Sequence, residues 1–142
     1  VSIWIKNYTV EDLNKHAANT LGEHIGIEIT EVGDDFITGT MPVDQRTKQP
    51  FGILHGGASV VLAETLGSIA GNLASAENSM CVGLEINANH LKKVSEGKVV
   101  GTAKPIHIGR STQVWDIRIS NDQNQAVCIS RITLAVVKSE VL

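Results

Sequence analysis

The sequence predicts an α+β domain in which one long, apolar helix packs against a largely antiparallel β-sheet. A run rich in Ala, Leu, Val and Gly extends from about residue 57 to residue 75, which is typical of a buried helix. Strand-like segments outnumber helices, and four of them follow the long helix with short connections, which favours antiparallel pairing. One long helix beside one large sheet suggests that the sheet wraps around the helix. The 142 residues are enough for one domain, so we expect a single domain over 1–142.

Capping and turn residues mark the elements before the long helix. Residues Thr9–Asp12 fit a capping box, which predicts a short amphipathic helix that ends near Gly22. Apolar and polar residues alternate over Ile25–Val32 and over Phe36–Val43, which predicts two strands. The Gly-Asp-Asp sequence at 33–35 is expected to form the turn between them.

A polar loop and four further strands complete the predicted order of elements. The loop covers Asp44–Leu54 and contains Pro50 and Gly52, and the long helix follows it. The strands after the helix are predicted at Cys81–Leu91, Lys98–Ile106, Thr112–Ser120 and Ala126–Val137. The Asn-Asp-Gln-Asn sequence at 121–124 predicts a hairpin turn.

Composition and charge exclude several classes of protein. The net charge is −3 and the longest basic run is Lys92-Lys93, so we expect no nucleic-acid partner. No apolar stretch approaches the ~18 residues of a membrane span, and no signal peptide is evident. We therefore expect a cytoplasmic protein without a membrane partner. Cys81 and Cys128 lack metal-site spacing and are expected to be small buried residues in a reducing compartment. A disulfide in a secreted protein is the alternative.

The long helix carries one carboxylate, Glu64, on the side opposite its apolar stripe. At 100° per residue, the stripe that should pack on the sheet is formed by Leu62, Leu66, Ile69 and Leu73. The face around Glu64 is small and nearly uncharged, and consists of Gly57, Val60, Val61, Gly67, Ser68, Gly71 and Ser75. Each glycine inside a helix costs roughly 1 kcal/mol relative to alanine. We therefore expect a partner subunit or a ligand to approach this face closely.

Two interpretations of Glu64 follow from that environment. It is either an ordinary surface acid or a carboxylate that its apolar neighbours desolvate, as in a general base. Ser68 lies one turn further on, at i+4, and is placed to hydrogen-bond to Glu64 or to a bound water.

The sequence His55-Gly56-Gly57 lies where the loop becomes the long helix. The first amides of a helix have no partner within the helix and point outward at the positive end of its dipole. Glycine lets a ligand oxygen approach them, as in an oxyanion hole or an anion site. The alternative is a structural N-cap with an ordinary histidine. The side-chain amide of Gln49, in the same loop, can donate and accept hydrogen bonds, but this residue alone does not indicate a function.

The spacing between Gly56 and Glu64 constrains any shared site. Eight residues of helix span roughly 12 Å, which is too far for both residues to reach one carbonyl group within a single chain. A two-fold dimer that places Glu64 of one subunit opposite His55 and Gly56 of the other would remove this difficulty. The hypothesis implies two sites per dimer.

Other catalytic classes lack their sequence signatures. Gly56-Gly-Ala-Ser59 resembles the oxyanion loop of some lipases, but no G-x-S-x-G motif follows it. No His pair has zinc-site spacing, and no phosphate-binding glycine loop is present. The two cysteines have no positioned histidine by sequence, which disfavours a thiol nucleophile.

Three stretches of the chain resemble a known family. These are MPVDQRTKQPFGILHGGASVVLAETLGSIAG at 41–71, VGLEINANHLK at 82–92 and KPIHIGRSTQVWDIRI at 104–119. They resemble the hotdog-fold acyl-CoA thioesterases, and the likeness extends from Trp4 to the last strand. The resemblance implies a hotdog fold, in which an antiparallel sheet wraps a long helix. It also implies homodimers joined edge to edge and paired into tetramers.

The resemblance assigns roles to five residues of the expected site. It makes Glu64 the nucleophile or the general base, with Ser68 assisting the water. Gln49, His55 and Gly56 would come from the opposing subunit, where the Gly56 N–H polarises the thioester carbonyl and the other two position the substrate and the leaving thiolate.

The same resemblance implies a binding surface for coenzyme A. Its residues would be Gly83, His90, Leu91, Lys92, Lys93, His107, Ile108, Gly109, Arg110, Ser111 and Thr112. Their cations suit nucleotide phosphates, although without the resemblance they would be interpreted as surface charges at strand ends. No metal or redox cofactor is implied, because coenzyme A is part of the substrate.

The resemblance implies hydrolysis of acyl-CoA thioesters with aromatic acyl groups, such as 1,4-dihydroxy-2-naphthoyl-CoA of menaquinone biosynthesis. One alternative is a proofreading thioesterase that acts on a misloaded aryl carrier protein, whose acidic surface would meet the basic residues. Another is a non-catalytic acyl-CoA-binding module, which the presence of Glu64 and the lack of a second domain disfavour. A hotdog dehydratase would need a histidine base and is disfavoured too.

Overall fold

The computed structural model of the protein describes residues 1–139. Its elements, in chain order, are α1 (Val10–His16), α2 (Leu21–His24), β1 (Glu28–Val32), β2 (Ile37–Pro42), α3 (Gly56–Leu73), β3 (Ser79–His90), β4 (Lys98–Ile108), β5 (Thr112–Ser120) and β6 (Ala126–Lys138). The six strands form one sheet in the order β1-β2-β4-β5-β6-β3, and every neighbouring pair is antiparallel. The predicted α+β class and antiparallel sheet are confirmed.

The core lies between α3 and the concave face of the sheet. Leu62 and Leu66 are completely buried, and small residues on the strands let α3 approach closely. A Cβ on Gly39 would lie 2.9 Å from a Leu66 methyl, and a Cβ on Gly101 would lie 2.8 Å from the other. The sheet therefore wraps tightly around α3, as the sequence predicted. Of the predicted apolar stripe, Ile69 alone is only half-buried.

Two glycines of α3 have a different neighbour from the one the sequence predicted. A Cβ on Gly67 would lie 2.7 Å from Ile132, and a Cβ on Gly71 would lie 2.3 Å from Leu134. Both neighbours belong to β6, so the close approach is made by the chain's own sheet. The expectation that a partner or ligand meets these two glycines is wrong.

The N-terminal region also differs from the prediction. The capping box is confirmed, since Thr9 Oγ1 accepts from the Asp12 N–H at 3.0 Å and Asp12 returns the bond to the Thr9 N–H. The helix ends at His16 rather than near Gly22, because Asn19 takes a left-handed conformation with φ 64°. A separate short helix, α2, follows it and ends at His24, one residue before the position where the first strand was predicted to begin.

The strand boundaries differ from the predicted ones mainly at the first strand. That strand begins at Glu28 rather than Ile25, because the chain is still completing the turn after α2. The turn at Gly33 is confirmed by its N–H bond to the Phe36 carbonyl at 2.8 Å. The start and end of β5 match the prediction, and the other strands agree within about two residues.

The first eight residues run across the C-terminal end of α3. The N–H groups of Ile5 and Lys6 both donate to the Leu73 carbonyl, at 2.8 and 3.0 Å. The Lys6 ammonium donates to the Ser79 carbonyl, and Trp4 stacks on buried Trp115 with ring centroids 6.0 Å apart. The two backbone hydrogen bonds satisfy the Leu73 carbonyl, which has no partner within the helix. The Lys6 ammonium places a positive charge at the negative end of the helix dipole.

Both cysteines are buried and form no disulfide, as expected. Burial raises the pKa of the Cys81 thiol and of the Cys128 thiol above their ordinary value.

None of the helices within residues 1–139 is long and apolar enough to cross a membrane.

Candidate active site

The start of α3 is organised by the side chain of His55. This residue is the N-cap, and its Nδ1 accepts a hydrogen bond from the Gly57 N–H at 2.8 Å. Because Nδ1 is an acceptor, the neutral ring carries its proton on Nε2 and can donate from that side. The backbone of His55 is held in turn by the Thr47 carbonyl, at 2.8 Å. The structure thus supports the N-cap interpretation and leaves a donor available.

The hydrogen bonds at this helix end leave one amide open. Ala58 and Ser59 donate to the His55 carbonyl, at 3.0 and 3.3 Å, and Gly57 donates to the His55 ring. The Gly56 N–H has no hydrogen-bond acceptor anywhere in residues 1–139. An unpaired amide at the positive end of an 18-residue helix can bind an oxyanion.

The loop before α3 fixes the orientation of Gln49. Its Oε1 accepts from the Phe51 N–H, and its own N–H donates to the Ile53 carbonyl at 2.9 Å. With the oxygen engaged inside the loop, the side-chain NH₂ group remains as a donor.

A cavity of about 350 Å³ opens beside this helix end. Its lining includes six of the predicted site residues, which are Gln49, Gly56, His90, Leu91, Lys92 and Lys93. The His90 ring closes one side, since its Nε2 lies 2.8 Å from the position that a Cβ on Gly56 would take. The fold therefore brings predicted site residues of the 49–56 loop and of the 90–93 segment together around one cavity.

Glu64 lies outside this cavity, in the middle of α3. Its Oε2 is 2.9 Å from where a Cβ on Gly83 would be, so the carboxylate lies directly against the backbone of β3. The strand has a β-bulge between Gly83 and Glu85 at this point. Glu64 is exposed in the single chain, so the expected desolvation is not provided by the residues of its own chain.

The predicted coenzyme A residues fall into two groups at opposite ends of the sheet. Gly83 pairs with Leu134, which pairs in turn with Gln113 beside the 107–112 turn. His90 instead pairs with Cys128. Leu134 and Cys128 are six positions apart on β6, which corresponds to about 20 Å. One chain therefore does not bring His107 through Thr112 together with His90 through Lys93.

Ser68 lies on the same face of α3 as Glu64 but lines a different cavity, of about 430 Å³. It makes no hydrogen bond to Glu64 in the described chain. The structure thus divides the five predicted catalytic residues into two sets. Glu64 and Ser68 lie in the middle of α3, whereas Gln49, His55 and Gly56 lie at its start.

The predicted binding cations have no acidic partners. Lys92 and Lys93 at the first cavity and Arg110 at the other end of the sheet are exposed, and none of them forms an ion pair within residues 1–139. They are available to an anionic ligand. The described part of the chain contains no group of three His, Cys, Asp or Glu side chains placed to hold a metal ion.

Sequence reasoning missed part of the lining of both cavities. Ile53, Ser59 and Val127 line the first cavity, and Lys6, Tyr8 and His16 line the second. None of these positions carries a motif. The capping box at Thr9 was the only sequence signal near any of them. It fixes where α1 begins and therefore which residues of α1 face α3.

Comparison with known proteins gives consistent matches over nearly the whole chain. A family model described as the thioesterase superfamily matches residues 51–128. The proofreading thioesterase EntH of Cronobacter turicensis is 52% identical over 134 residues, which is 94% of this chain and 98% of that protein. The 1,4-dihydroxy-2-naphthoyl-CoA hydrolase of Escherichia coli K12 is 48% identical over the same shares of both chains.

Solved structures support the same relationship. A thioesterase from Haemophilus influenzae has a TM-score of 0.94 and 53% identity, and the match covers 96% of this chain and 95% of that one. A mutant thioesterase from Pseudomonas aeruginosa also has a TM-score of 0.94, with 49% identity over 96% of this chain and 99% of the other.

Proposed function

Since the chain belongs to the thioesterase superfamily, we propose that it hydrolyses acyl-CoA thioesters whose acyl group is aromatic, such as 1,4-dihydroxy-2-naphthoyl-CoA. The chain has the hotdog fold and is a thioester hydrolase. The name of the Escherichia coli relative supports this acyl group, which would place the reaction in menaquinone biosynthesis. The observation that carries the mechanism is the unpaired Gly56 N–H beside Gln49 and His90.

The Gly56 amide is proposed to bind the carbonyl oxygen of the thioester. Negative charge develops on this oxygen as the carbon becomes tetrahedral, and a fixed amide at a helix start needs no reorganisation to stabilise it. The Nε2–H of His55 and the NH₂ group of Gln49 are the nearby donors that would position the substrate and the leaving thiolate.

Glu64 is proposed to activate the attacking water. The water oxygen bonds to the carbonyl carbon while its proton passes to the Glu64 carboxylate. The carbon–sulfur bond then breaks, and the departing thiolate of coenzyme A takes up the proton that Glu64 holds, which restores the carboxylate. Ser68, one turn further along α3, would hold the water. The alternative route has the carboxylate attack first and form an anhydride that water then hydrolyses.

The site is proposed to be shared between two subunits. Strand β3 forms one edge of the sheet over 12 residues, of which six are exposed and only Cys81 is buried. Long unpaired edges are normally covered in native proteins. A second copy that pairs along β3 would bring Gln49, His55 and Gly56 of one subunit towards Glu64 of the other, and would remove Glu64 from water. Pairing of such dimers into tetramers remains part of the proposal.

The basic residues are proposed to bind the nucleotide of coenzyme A. Lys92 and Lys93 line the cavity beside Gly56, and Arg110 lies at the other end of the sheet. A dimer allows cations of both subunits to face one nucleotide through charge-assisted contacts. No metal or redox cofactor is part of the proposed reaction.

Proofreading of a misloaded aryl carrier protein is a second candidate. The 52% identity to a proofreading thioesterase favours it. The chemistry would be the same, and the exposed Lys92 and Lys93 would contact an acidic carrier surface rather than only a nucleotide. The two candidates differ in whether the thioester on coenzyme A or that on the carrier is the better substrate.

Release of free thiol tests the proposed reaction. Wild type and Glu64→Ala are compared on 1,4-dihydroxy-2-naphthoyl-CoA, benzoyl-CoA, a medium-chain acyl-CoA and an aryl-loaded carrier protein. We expect the aromatic CoA esters to be cleaved best, and Glu64→Ala to lose at least ~100-fold in kcat with the fold intact. Binding of the esters without cleavage by wild type would refute hydrolysis of these substrates and favour an acyl-CoA-binding module.

Mixing two inactive variants tests the shared site. Glu64→Ala and Gly56→Val each inactivate a different half of the proposed site. Refolding them together should restore activity, because a mixed dimer has one intact site. Glu64→Ala mixed with Glu64→Gln is the matched control and should remain inactive. Failure to recover activity, with mixed dimers confirmed by mass, would place the whole site within one chain.

A further inference from the structure

The long helix α3 and the edge strand β3 run side by side in opposite directions. Gly56 lies against the last residue of β3, and Glu64 lies against Gly83. Towards the start of the strand, Asn72 Oδ1 accepts a hydrogen bond from the Cys81 N–H at 2.9 Å. No other hydrogen bond joins α3 to β3 in the described part of the chain, so Asn72 supplies the one polar contact there between the helix and the strand.

A second hydrogen bond fixes the orientation of the Asn72 side chain. Its Nδ2 donates to the Ser68 carbonyl at 2.9 Å, one turn back along α3. A carbonyl only accepts and a backbone N–H only donates, so the two partners permit one orientation of the amide. The same side chain therefore contacts the turn of α3 that follows Glu64 and the segment of β3 that leads to Gly83.

The Cys81 N–H depends on Asn72 for its hydrogen bond. Strand β3 has β6 as its only neighbour in the sheet, so backbone groups that alternate away from β6 have no partner strand in this chain. Cys81 is 5% exposed, and a buried N–H without an acceptor is costly. Without the Asn72 amide, this part of the strand should move to satisfy its N–H with water.

Other contacts hold β3 independently of Asn72. The Lys6 ammonium donates to the Ser79 carbonyl at 2.6 Å, at the first residue of the strand. Antiparallel pairing with β6 continues along the whole strand. Replacement of Asn72 should therefore leave the strand attached and the chain folded, and should change only the position of the open edge that leads to Gly83.

We propose, on the basis of the proposed function, that Asn72 is a positioning residue of the reaction, because it fixes the strand edge against which the Glu64 carboxylate lies. Cys81 and Gly83 are two residues apart on β3 and face the same side, so a displacement at Cys81 is passed to Gly83. Glu64 Oε2 lies 2.9 Å from the place of a Gly83 Cβ and would move with the strand. A misplacement of about 1 Å can cost up to ~100-fold in rate. Asn72 acts through this geometry and takes no part in breaking the thioester bond.

Two variants and a matched control test this role. Asn72→Ala removes both hydrogen bonds, whereas Asn72→Asp keeps an acceptor for the Cys81 N–H and loses the donor. The charge added by Asn72→Asp lies eight residues and about 12 Å along α3 from Glu64, where salt screens it. Asn14→Ala is the control, because Asn14 makes the same pair of hydrogen bonds to Ile29, both at 2.9 Å, between α1 and the strand at the opposite edge of the sheet.

The measured quantities are kcat for thiol release from 1,4-dihydroxy-2-naphthoyl-CoA and benzoyl-CoA, the thermal midpoint, and hydrogen exchange of the peptide that contains β3. We expect Asn72→Ala to lower kcat about 10- to 100-fold and to speed exchange in β3. Asn14→Ala should lower the thermal midpoint by a similar few degrees without a change in kcat. Asn72→Asp should recover most of the kcat. It should be no more stable than Asn72→Ala, because a negative charge is unfavourable near the C-terminal end of a helix, so the recovery cannot be attributed to stability.

Wild-type kcat or unchanged exchange of β3 in Asn72→Ala would overturn the inference while the proposed function stands. Equal losses of kcat in Asn72→Ala and Asn14→Ala would overturn it as well, because loss of stability alone would then explain both. An equal loss in Asn72→Asp and Asn72→Ala would show that the acceptor for the Cys81 N–H does not matter, which contradicts the proposed role. If wild type cleaves neither ester, the proposed function fails and the inference fails with it.

Discussion

The carboxylate of Glu64 occupies the space that a side chain at position 83 would need, with Oε2 only 2.9 Å from the place of a Gly83 Cβ. The two residues come from the middle of α3 and from the bulged segment of β3, and they meet where the sheet has an open edge. Bulges next to functional sites commonly direct a side chain. Here the absence of a side chain on the strand sets the position of the carboxylate on the helix.

Gly83→Ala should therefore impair catalysis more than stability. The new methyl group would meet the far end of a flexible side chain, which can move at little cost, so the thermal midpoint should change by only a few degrees. The carboxylate would shift, and a misplacement of about 1 Å can cost up to ~100-fold in kcat. Gly22→Ala is the control, because its Cβ would have ordinary contacts at 3.8 Å or more. Unchanged kcat in Gly83→Ala would argue against a fixed role for the Glu64 carboxylate.

Gly56→Ala tests the contact between the helix start and the His90 ring. A Cβ there would lie 2.8 Å from His90 Nε2, so the ring must move and the added methyl would narrow access to the open N–H. We expect kcat to fall by about 10- to 100-fold, on the scale of a weakened oxyanion donor. Kinetics of Gly56→Ala, His90→Ala and the double variant would separate the two effects.

In that cycle, the loss caused by Gly56→Ala should be smaller when His90 is already alanine, because the clash is gone. Strictly additive losses would show that the methyl group acts on the amide alone. A gain in activity from Gly56→Ala would contradict the proposed role of this helix end.

The buried cysteines predict a limit to stability at high pH. Burial raises the pKa of Cys81 and Cys128, so the folded chain holds the thiol protons more tightly than the unfolded chain. Their contribution is complete below the ordinary pKa of 9.0 and is lost as pH rises through the raised folded value. The free energy of unfolding in urea should fall less between pH 8 and pH 10.5 in the Cys81→Ala, Cys128→Ala double variant than in wild type. An equal fall in the free energy of unfolding of both proteins would show that groups other than the two thiols determine its dependence on pH in this range.

The sequence predicted the elements whose signals are local. The capping box at Thr9, the turn at Gly33 and the bounds of β5 depend on neighbouring residues, and all three were found. The neighbours of Gly67 and Gly71 were wrongly predicted. A helical wheel shows which residues share a face, whereas the curvature of the sheet decides how far around the helix that sheet reaches.

The candidate site was predictable in its residues and less so in their grouping. The helix-start motif and Glu64 could be identified from spacing and residue type. The separation of His90 from the 107–112 turn depends on strand order, which no local pattern specifies. Lys6, Tyr8 and His16 line the cavity beside Ser68 because of where the N-terminal segment and α1 lie against α3. That tertiary contact has no sequence motif.

His55 combines a structural and a proposed catalytic role, and two substitutions separate them. Its Nδ1 caps α3 and its Nε2–H is the available donor. Asparagine is also a strong N-cap residue, so His55→Asn should keep most of the capping energy but lose the donor at the position of Nε2, which the shorter amide NH₂ group does not reach. His55→Ala should lose both, with a stability loss of about 1 kcal/mol. We expect near wild-type unfolding for His55→Asn, with kcat/KM lowered about as much as in His55→Ala.

Urea unfolding and thiol-release kinetics on the same preparations supply both quantities. Retention of activity in His55→Asn together with loss in His55→Ala would assign the effect to the cap, because His55→Asn keeps the capping acceptor while neither variant has a donor at the position of Nε2. Loss of activity in both, with stability lost only in His55→Ala, would assign it to the Nε2 side of the ring. That result would also support the expected tautomer, since a ring that accepts at Nδ1 can donate only from Nε2.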